Sequence, residues 1–397
     1  MYRTRTPSKG VAGPPGQGSP SREATTIKVP FIFFSPGGGR IAGTPGGPED
    51  HGMSSVSRRT FLKVAGAAGL ALATGCKVSP PSAGSGSSGT LTPGALPSVD
   101  IEGPPRELIL TPTGSLYIQS YDRIPRVEAE AWRLHIHGLV NRELNLSLED
   151  IRAYPKVESM RTLECIGNPV GGPLIGNVVW GGIEAAAVWD QVGIRPEALR
   201  ARFEAEDDYS TSVEMKWITQ PGVLLVYELN NEPLPAPHGF PLRILMPGLY
   251  GQKMPKWIRE IEFIDQPHTG FWESRGWSDV ASVQTNSIIR QPENLERVPP
   301  GGIPVFGVAF AGLRQITRVE VRIEDGEWTE AELLQDPSTL VWTQWSYVWP
   351  ATAGTHKVSV RATDADGFTQ STEGGSILSS SFPAGTDDIH AIVVTVA

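Results

Sequence analysis

The segment around Cys165 places a lone thiol at the end of a predicted strand. Residues 157–163 have the apolar pattern of a strand, and the Gly- and Pro-rich residues 167–173 force an irregular loop directly afterwards. Cys165 is the only cysteine that remains once a predicted export signal ending at Cys76 is set aside. Without a disulfide partner, its thiol is a buried apolar group, a nucleophile or a metal ligand. The loop favours a cleft over a core, but position alone leaves these roles open.

Length and composition favour a loop-rich protein with two domains. A chain of 397 residues is long enough for two hydrophobic cores. A hydrophobic content of 39% with 11 Trp indicates packed globular domains, and 44 Gly with 35 Pro indicate short strands joined by many turns.

The N-terminal region has the pattern of an export signal. Residues 1–52 have no sustained apolar period and cannot bury enough surface to fold. Met53 is followed by the pair Arg58-Arg59 and the moderately apolar run 64–73, which is the twin-arginine pattern. We therefore expect a twin-arginine signal peptide at residues 53–76, with the preceding residues as a start-site artefact. The apolar run falls short of the roughly 20 residues that a permanent membrane span needs.

The end of this signal leaves one alternative open. Cys76 closes a stretch of small residues, so the chain is either cleaved there or lipid-anchored at Cys76. Twin-arginine export carries folded proteins, commonly those loaded with a cofactor, so we expect a periplasmic protein with a cofactor. Residues 77–100 are rich in Gly, Pro and Ser and are predicted to be a linker.

The charge balance of the remaining chain is acidic. Removing residues 1–76 takes away nine basic and three acidic residues and leaves a formal charge of about −15. A surface of this sign argues against nucleic acid as a partner.

A basic cluster stands out against this background. Four basic residues lie among Gly and Pro within one short segment: His238, Arg243, Lys253 and Lys256. Such a cluster suits an anion, above all a phosphate held by charge-assisted hydrogen bonds. A solvated basic face is the alternative, although apolar residues in the same segment favour partial burial.

The C-terminal part has a different pattern. After Ser287, short alternating segments separated by Gly turns recur at residues 316–324, 341–349, 357–362 and 390–396. This spacing predicts a β-sandwich of immunoglobulin type.

Four segments, in order and spacing, resemble the sulfite oxidase family of molybdenum enzymes. They are residues 163–168, residues 238–243, residues 253–257 and residues 283–288. The resemblance covers nearly all of the chain from Ile101 onward. It implies an α+β fold, with a molybdopterin-binding catalytic domain at residues 101–285 and an immunoglobulin-like dimerisation domain at residues 286–397.

The resemblance also implies the cofactor and its ligands. The family holds molybdenum through one pyranopterin dithiolene, so the expected cofactor is Mo-molybdopterin with Cys165 as metal ligand, and a soft thiolate suits this metal. The family's phosphate and pterin contacts match the basic cluster: His238, Arg243, Lys253 and Lys256. Tyr117 and Tyr121 are further cofactor-side candidates, with core aromatic residues as the open alternative.

The sequence departs from the family on the substrate side. Gln119-Ser120-Tyr121 stands where sulfite oxidases have Arg-Asn-His, Val170 where they have a second Arg, and Trp277 where a tyrosine lies over the metal. Burying a dianion such as sulfite without its countercharges is costly. We therefore expect a neutral or weakly charged substrate such as a sulfoxide, with Cys165, Trp277 and Gln119 as catalytic candidates.

These residues predict a periplasmic molybdenum oxidoreductase that transfers an oxygen atom on a small substrate. The sequence has no Cys-x-x-Cys-His haem motif and no second cysteine for an iron–sulfur cluster, so an external electron carrier is expected, either a cytochrome or a quinone-linked membrane protein. The alternatives are a methionine sulfoxide reductase of envelope proteins, a sulfite dehydrogenase and a cofactor-free binding protein. A homodimer is expected through the sandwich, whose Trp342, Trp345 and Trp349 form either an exposed aromatic surface or its own core.

Overall fold

The structure is a computed structural model that describes residues 107–372 and 381–397. The predicted start-site artefact, signal peptide and linker, residues 1–100, therefore lie outside the described residues. Within the described part of the chain, no helix is long and apolar enough to cross a membrane.

The first half of the described chain consists mainly of strands. Its strands are β1 (Leu134–Gly138), β2 (Leu144–Leu146), β3 (Lys156–Glu164), β4 (Ile175–Glu184), β5 (Arg200–Ala205), β6 (Ser210–Glu214), β7 (Leu224–Leu229), β8 (Glu232–Pro233), β9 (Arg243–Leu245) and β10 (Ile258–Ile264). Its helices are α1 (Leu148–Arg152), α2 (Ala186–Val192) and α3 (Met215–Ile218), with 3₁₀ turns at Thr113–Ser115, Ala236–His238, Gly251–Lys253 and Glu273–Arg275.

The helices are short, so the fold is mostly β and the expected α+β class is met only in part. The longest helix in the described residues, α2, has seven residues. Helix α1 begins with a capping box, in which the Ser147 side chain accepts the Asp150 N–H and the Asp150 carboxylate accepts the Ser147 N–H.

Two sheets enclose the first hydrophobic core. One has the order β2-β1-β10-β5-β6, in which β1 and β10 are parallel, and the other has the order β3-β4-β7-β8, with β9 also paired to β7. Strands β3 and β4 form a long antiparallel hairpin from the pair Lys156–Ile183 to the pair Glu164–Ile175. Cys165 therefore follows the last paired residue of β3, at the start of the hairpin loop.

The second half of the described chain is a β-sandwich, as the alternating segments predict. Its strands are β11 (Asn286–Gln291), β12 (Arg297–Val298), β13 (Gly301–Phe310), β14 (Ile316–Ile323), β15 (Thr329–Glu330), β16 (Glu332–Leu333), β17 (Thr343–Ala351), β18 (Gly354–Asp364) and β19 (His390–Val396). They form one sheet in the order β11-β13-β17-β16 and another in the order β12-β19-β18-β14-β15.

The sandwich tryptophans belong to cores and not to an exposed aromatic surface. Trp345 is fully buried and Trp349 is 4% exposed, and both pack in the core between the two sheets. Trp342 packs in a third cluster with Ile166 and Tyr250 of the preceding half. Apolar packing therefore joins the sandwich to the loop that carries Cys165.

His390 joins three elements at this junction. Its Nδ1 accepts the Ile289 N–H at 3.0 Å, which links β19 to β11. The loop after Cys165 lies against the same ring, since a Cβ on Gly171 would lie 2.1 Å from Nε2. Burial, and then the charge of Arg290, lower the pKa of His390 to about 4. Protonating Nδ1 would also break the bond to Ile289.

We expect the protein to lose stability in acid through His390. Its pKa in the folded state lies below the ordinary value of 6.5, so the unfolded chain takes up the proton more readily, and stability falls as the pH drops from about 6.5 towards 4. The loss from this residue at pH 4.5 is ~2 kcal/mol. In His390→Asn, whose amide oxygen accepts the same N–H but does not titrate, urea unfolding at pH 7.5 and 4.5 should show a smaller difference than in the wild type. Equal differences in the two proteins would contradict this role.

Candidate active site

The β3–β4 hairpin holds Cys165 in a closed loop. The Cys165 N–H donates to the Leu174 carbonyl at 2.9 Å, and the Asn168 N–H donates to the Cys165 carbonyl at 2.9 Å. The side chain is half-buried. Burial raises the pKa of the thiol to about 11, while a hydrogen bond from the Gly167 backbone opposes the rise. The free thiol therefore keeps its proton at neutral pH, and a metal has to displace that proton to bind the sulfur.

The neighbouring Glu164 fixes this loop from two sides. Its Oε1 accepts from the Asn168 side chain at 3.0 Å, and its Oε2 accepts from the Asn286 side chain at 3.1 Å. Asn168 in turn accepts the Leu174 N–H at 2.9 Å. Burial raises the pKa of Glu164 to about 7, and the two amide hydrogen bonds oppose that rise. The carboxylate therefore ties the Cys165 loop to the first strand of the sandwich.

Arg243 lies at the centre of the basic cluster. It begins β9, which pairs with β7, and it is 3% exposed. Its Nη1 donates to the His238 carbonyl at 3.2 Å and its Nη2 to the Met254 carbonyl at 3.4 Å, while Nε is buried without a hydrogen bond. The guanidinium carbon lies 5.0 Å from the centre of the Trp180 ring. None of these contacts supplies a negative charge.

Local backbone geometry brings Lys256 to Arg243. Gly239 has a φ of 118°, and a Cβ there would lie 3.1 Å from the Lys256 Cβ and 3.2 Å from the Arg243 Cβ. Trp257 has a φ of 53°, which is unfavourable for this residue, and its indole N–H donates to the Ala236 carbonyl at 2.7 Å. The Lys256 ammonium donates to the Pro237 carbonyl at 2.9 Å and lies 4.1 Å from the centre of the Trp257 ring.

The positive charge of the cluster is only partly compensated. His238 and Arg243 are buried and Lys256 is half-buried, and the carboxylate of Asp207 opposes the fall in the Lys256 pKa without forming an ion pair. Burial and then Arg243 lower the pKa of Lys256 to about 7, and burial lowers that of Arg243 to about 10. Burial, then Arg243 and Lys256, lower the pKa of His238 to about 4. Within residues 107–372 and 381–397, neither Arg243 nor Lys256 forms an ion pair. Such a cluster is arranged to accept an anion.

Tyr117 is close enough to both this cluster and the thiol for their charges to affect its pKa. Burial and then the negative charge of an ionised Cys165 raise the pKa of its phenol, and the charge of Arg243 lowers it. Its hydroxyl packs closely on Gly251: a Cβ atom added to this glycine would lie only 3.2 Å from the phenolic oxygen. The structure therefore brings together five of the residues singled out in the sequence: Tyr117, Cys165, His238, Arg243 and Lys256.

Lys253 does not join the cluster. Its ammonium is fully buried and forms ion pairs with Glu273 and, at 3.2 Å, with Asp279. It also donates to the Thr211 hydroxyl at 3.2 Å and to the Ser212 carbonyl at 3.0 Å. These contacts occupy its hydrogen-bonding capacity and neutralise its charge.

Two other candidates are exposed on the segment after Tyr117. Gln119 is exposed, and Tyr121 is 38% exposed and packs on Phe271 with ring centres 4.0 Å apart. The described contacts do not bring either side chain to the thiol. In the described residues, no group of three or more His, Cys, Asp or Glu side chains is arranged to hold a metal ion.

Trp277 lies beside the thiol. A Cβ on Gly167 would lie 3.8 Å from the Trp277 ring atom Cη2 and 3.7 Å from the Cys165 sulfur. The sequence comparison that aligned Trp277 with a tyrosine over the metal therefore identified a residue that is close to Cys165. Sequence reasoning included Glu164 and Asn286 in the segments that resemble the family but assigned them no role, because they lie 122 residues apart and no local pattern links them.

Two family models match the chain. One, described as an oxidoreductase molybdopterin binding domain, matches residues 121–272, and the other, described as a Mo-co oxidoreductase dimerisation domain, matches residues 278–378.

Relatives and a solved structure agree with these matches. The sulfite oxidase of Arabidopsis thaliana is 30% identical over 289 residues, which cover 59% of this chain and 74% of the plant protein. The sulfite oxidase of Gallus gallus is 30% identical over 317 residues, covering 66% of this chain and 69% of the other. The sulfane dehydrogenase SoxCD from Paracoccus pantotrophus has the same fold, with a TM-score of 0.63 and 22% identity over 73% of this chain and 84% of that chain. The chain therefore belongs to the sulfite oxidase family of molybdopterin-dependent oxidoreductases.

Proposed function

We propose that this protein transfers an oxygen atom to or from a small neutral substrate, such as a sulfoxide, at a molybdenum held by Cys165. The observation that carries the proposal is the presence of a half-buried thiol together with two cations, Arg243 and Lys256, that form no ion pair in the described residues. The pKa of Tyr117 is raised by the charge of an ionised Cys165 and lowered by the charge of Arg243, so Tyr117 is close to both groups.

The residues present fit a molybdopterin cofactor. The unpartnered Arg243 Nε and the depressed pKa of Lys256 both indicate a missing anion, which the cofactor's phosphate supplies. Arg243, Lys256 and His238 would hold the phosphate and the pterin, and Cys165 would hold the metal. Molybdenum bound there supplies the two-electron redox chemistry by which an oxygen atom is added to or removed from a substrate.

The chain's own residues contribute binding and orientation. Glu164 and Asn168 fix the loop that presents the Cys165 sulfur. Burial keeps the Tyr117 phenol protonated at neutral pH, so that it can donate a hydrogen bond in the site. Trp277 adds an aromatic surface beside Gly167, two residues from the thiol.

A neutral substrate is favoured over sulfite by the charges around Trp277. Lys253 is paired with Glu273, and Arg200 is paired with Asp279 at 2.8 Å. Sulfite is the second candidate, because the relatives in Arabidopsis thaliana and Gallus gallus are sulfite oxidases. Reduction of a sulfoxide consumes two electrons and two protons and releases a sulfide and water, so an electron carrier has to take part.

The remaining expectations rest on the sequence and the family. The twin-arginine pattern supports a periplasmic location, where a cytochrome or a quinone-linked membrane protein would exchange electrons with the site. The match to a dimerisation domain supports a homodimer through the sandwich. Methionine sulfoxide in envelope proteins is one substrate within the proposed class.

We expect Cys165→Ala to lose the metal but keep the pterin. The thiolate is the protein's ligand to molybdenum in this proposal, whereas Arg243 and Lys256 grip the organic part. Molybdenum measured by mass spectrometry should fall to less than about a tenth of the wild-type content, while pterin fluorescence persists. Arg243→Leu should lose both, and molybdenum retained in Cys165→Ala would contradict the assignment.

We expect the cofactor-free protein to bind sulfate more weakly as the pH rises through 7. Lys256 has a pKa of about 7, so it is charged below this pH and neutral above it. Sulfate keeps its charge throughout, so its dissociation constant should rise about tenfold between pH 6 and 8 if the charged lysine is required. Calorimetry should show no such slope for Lys256→Met. An equal slope in both proteins would assign the titration to another group.

We expect the loaded enzyme to prefer a sulfoxide to sulfite. Turnover of dimethyl sulfoxide with reduced benzyl viologen, and of sulfite with ferricyanide, should give a value of kcat/KM at least about tenfold higher for the sulfoxide, since sulfite lacks its countercharges. The reverse ranking would make the protein a sulfite dehydrogenase.

A further inference from the structure

Phe382 is a large apolar side chain that the sandwich leaves outside its own core. It is 52% exposed and lies in the turn 381–385, which precedes β19. Its ring lies 5.2 Å from that of Trp277, centre to centre, in an edge-to-face arrangement with an angle of 83° between the planes. The ring also lies 3.2 Å from the position of a Cβ on Gly276. Phe382 therefore belongs to the second half of the chain but packs beside the thiol-bearing site of the first.

Backbone contacts fix this turn on the first half. The Ser278 N–H donates to the Pro383 carbonyl at 2.9 Å, and the Gly385 N–H closes the turn on the Ser381 carbonyl at 2.7 Å. Gly385 lies directly against Tyr250, since a Cβ there would lie 2.3 Å from the phenolic oxygen. The Tyr250 hydroxyl is itself held by the Gln284 N–H at 3.0 Å. The position of Phe382 is therefore set by structure on both sides of the turn.

The two aromatic rings are in contact with each other next to the loop that carries the thiol. The Trp277 Cη2 atom and the Cys165 sulfur both lie within 4 Å of the position that a Cβ on Gly167 would occupy, and Phe382 packs edge-to-face on Trp277. Aromatic faces attract apolar and aromatic groups and give no stabilisation to an anion. The half-exposed Phe382 ring leaves apolar surface available to a bound molecule.

We propose that Trp277 and Phe382 together bind the apolar substituent of a neutral S-oxide, and that Phe382 determines the substrate's specificity from the second domain. This inference rests on the proposed oxygen-atom transfer. A substrate whose sulfur carries an aryl or a long alkyl group would place the reacting sulfur towards Cys165 and its substituent against the exposed surface of the two rings. A small sulfoxide would reach the same centre without using Phe382.

The test compares two sulfoxides in three forms of the loaded enzyme. With reduced benzyl viologen as electron donor, the ratio of kcat/KM for methyl phenyl sulfoxide to that for dimethyl sulfoxide should fall about tenfold in Phe382→Ala, through a higher KM for the aryl substrate. Phe382→Leu should fall between Phe382→Ala and the wild type. Phe368→Ala removes another exposed phenylalanine, 40% exposed, from the same half of the chain and should leave the ratio unchanged.

The outcomes separate this inference from the proposed function. If both sulfoxides are reduced but Phe382→Ala keeps the wild-type ratio, the inference is wrong and the proposed function stands. If neither sulfoxide is reduced, the aromatic site is tested by measuring the binding of methyl phenyl sulfoxide to the loaded protein by calorimetry. Binding that weakens about tenfold in Phe382→Ala supports the aromatic site without the proposed reaction, and absent or unchanged binding overturns the site.

Discussion

The buried carboxylate of Glu164 is the contact on which the arrangement of the site depends. It accepts hydrogen bonds from Asn168 in the Cys165 loop and from Asn286 at the start of the sandwich. A buried carboxylate that loses one of these partners is left with an unmet hydrogen bond in an apolar setting, which costs roughly 1–3 kcal/mol. Both halves of the chain are thus required to keep the loop after β3 in one conformation. The thiol, Trp277 and the turn that carries Phe382 take their relative positions from that conformation.

Charge is distributed unequally around the thiol. Arg243 and Lys256 are buried against carbonyl oxygens and aromatic rings, whereas Lys253, only three residues from Lys256, is neutralised by Glu273 and Asp279. In the proposed function, the cations that form no ion pair would bind the anionic cofactor, and the paired cations would not attract an anionic substrate. Lys256 would therefore bind the cofactor, whereas Lys253 forms internal ion pairs.

Sequence reasoning succeeded where the signal was local. The strand that precedes Cys165 and the Gly- and Pro-rich loop that follows it were both predicted from residues that are close in sequence. The basic cluster was visible because it contrasts with an acidic chain. The sequence did not show that Lys253 forms ion pairs outside this cluster. The directions of the two lysine side chains depend on the 3₁₀ turn at Gly251–Lys253 and on the backbone of Trp257. The bonds from Asn286 to Glu164 and from Ser278 to Pro383 join distant segments, and no local pattern encodes them.

In the proposed function, the cation cluster links the cofactor to the stability of the fold. Burial lowers the proton affinity of Arg243, Lys256 and His238, and the charge of Arg243 lowers that of Lys256 and His238 further, which means that desolvation and charge repulsion here oppose folding. An anion that binds among them removes this opposition and binds the native state alone, so by mass action it shifts the folding equilibrium towards the native protein. The bound cofactor would therefore contribute to the free energy of unfolding in addition to its role in the reaction. Loaded and empty chains consequently differ in their resistance to unfolding, and any cellular process that discriminates by folded state also discriminates by cofactor content.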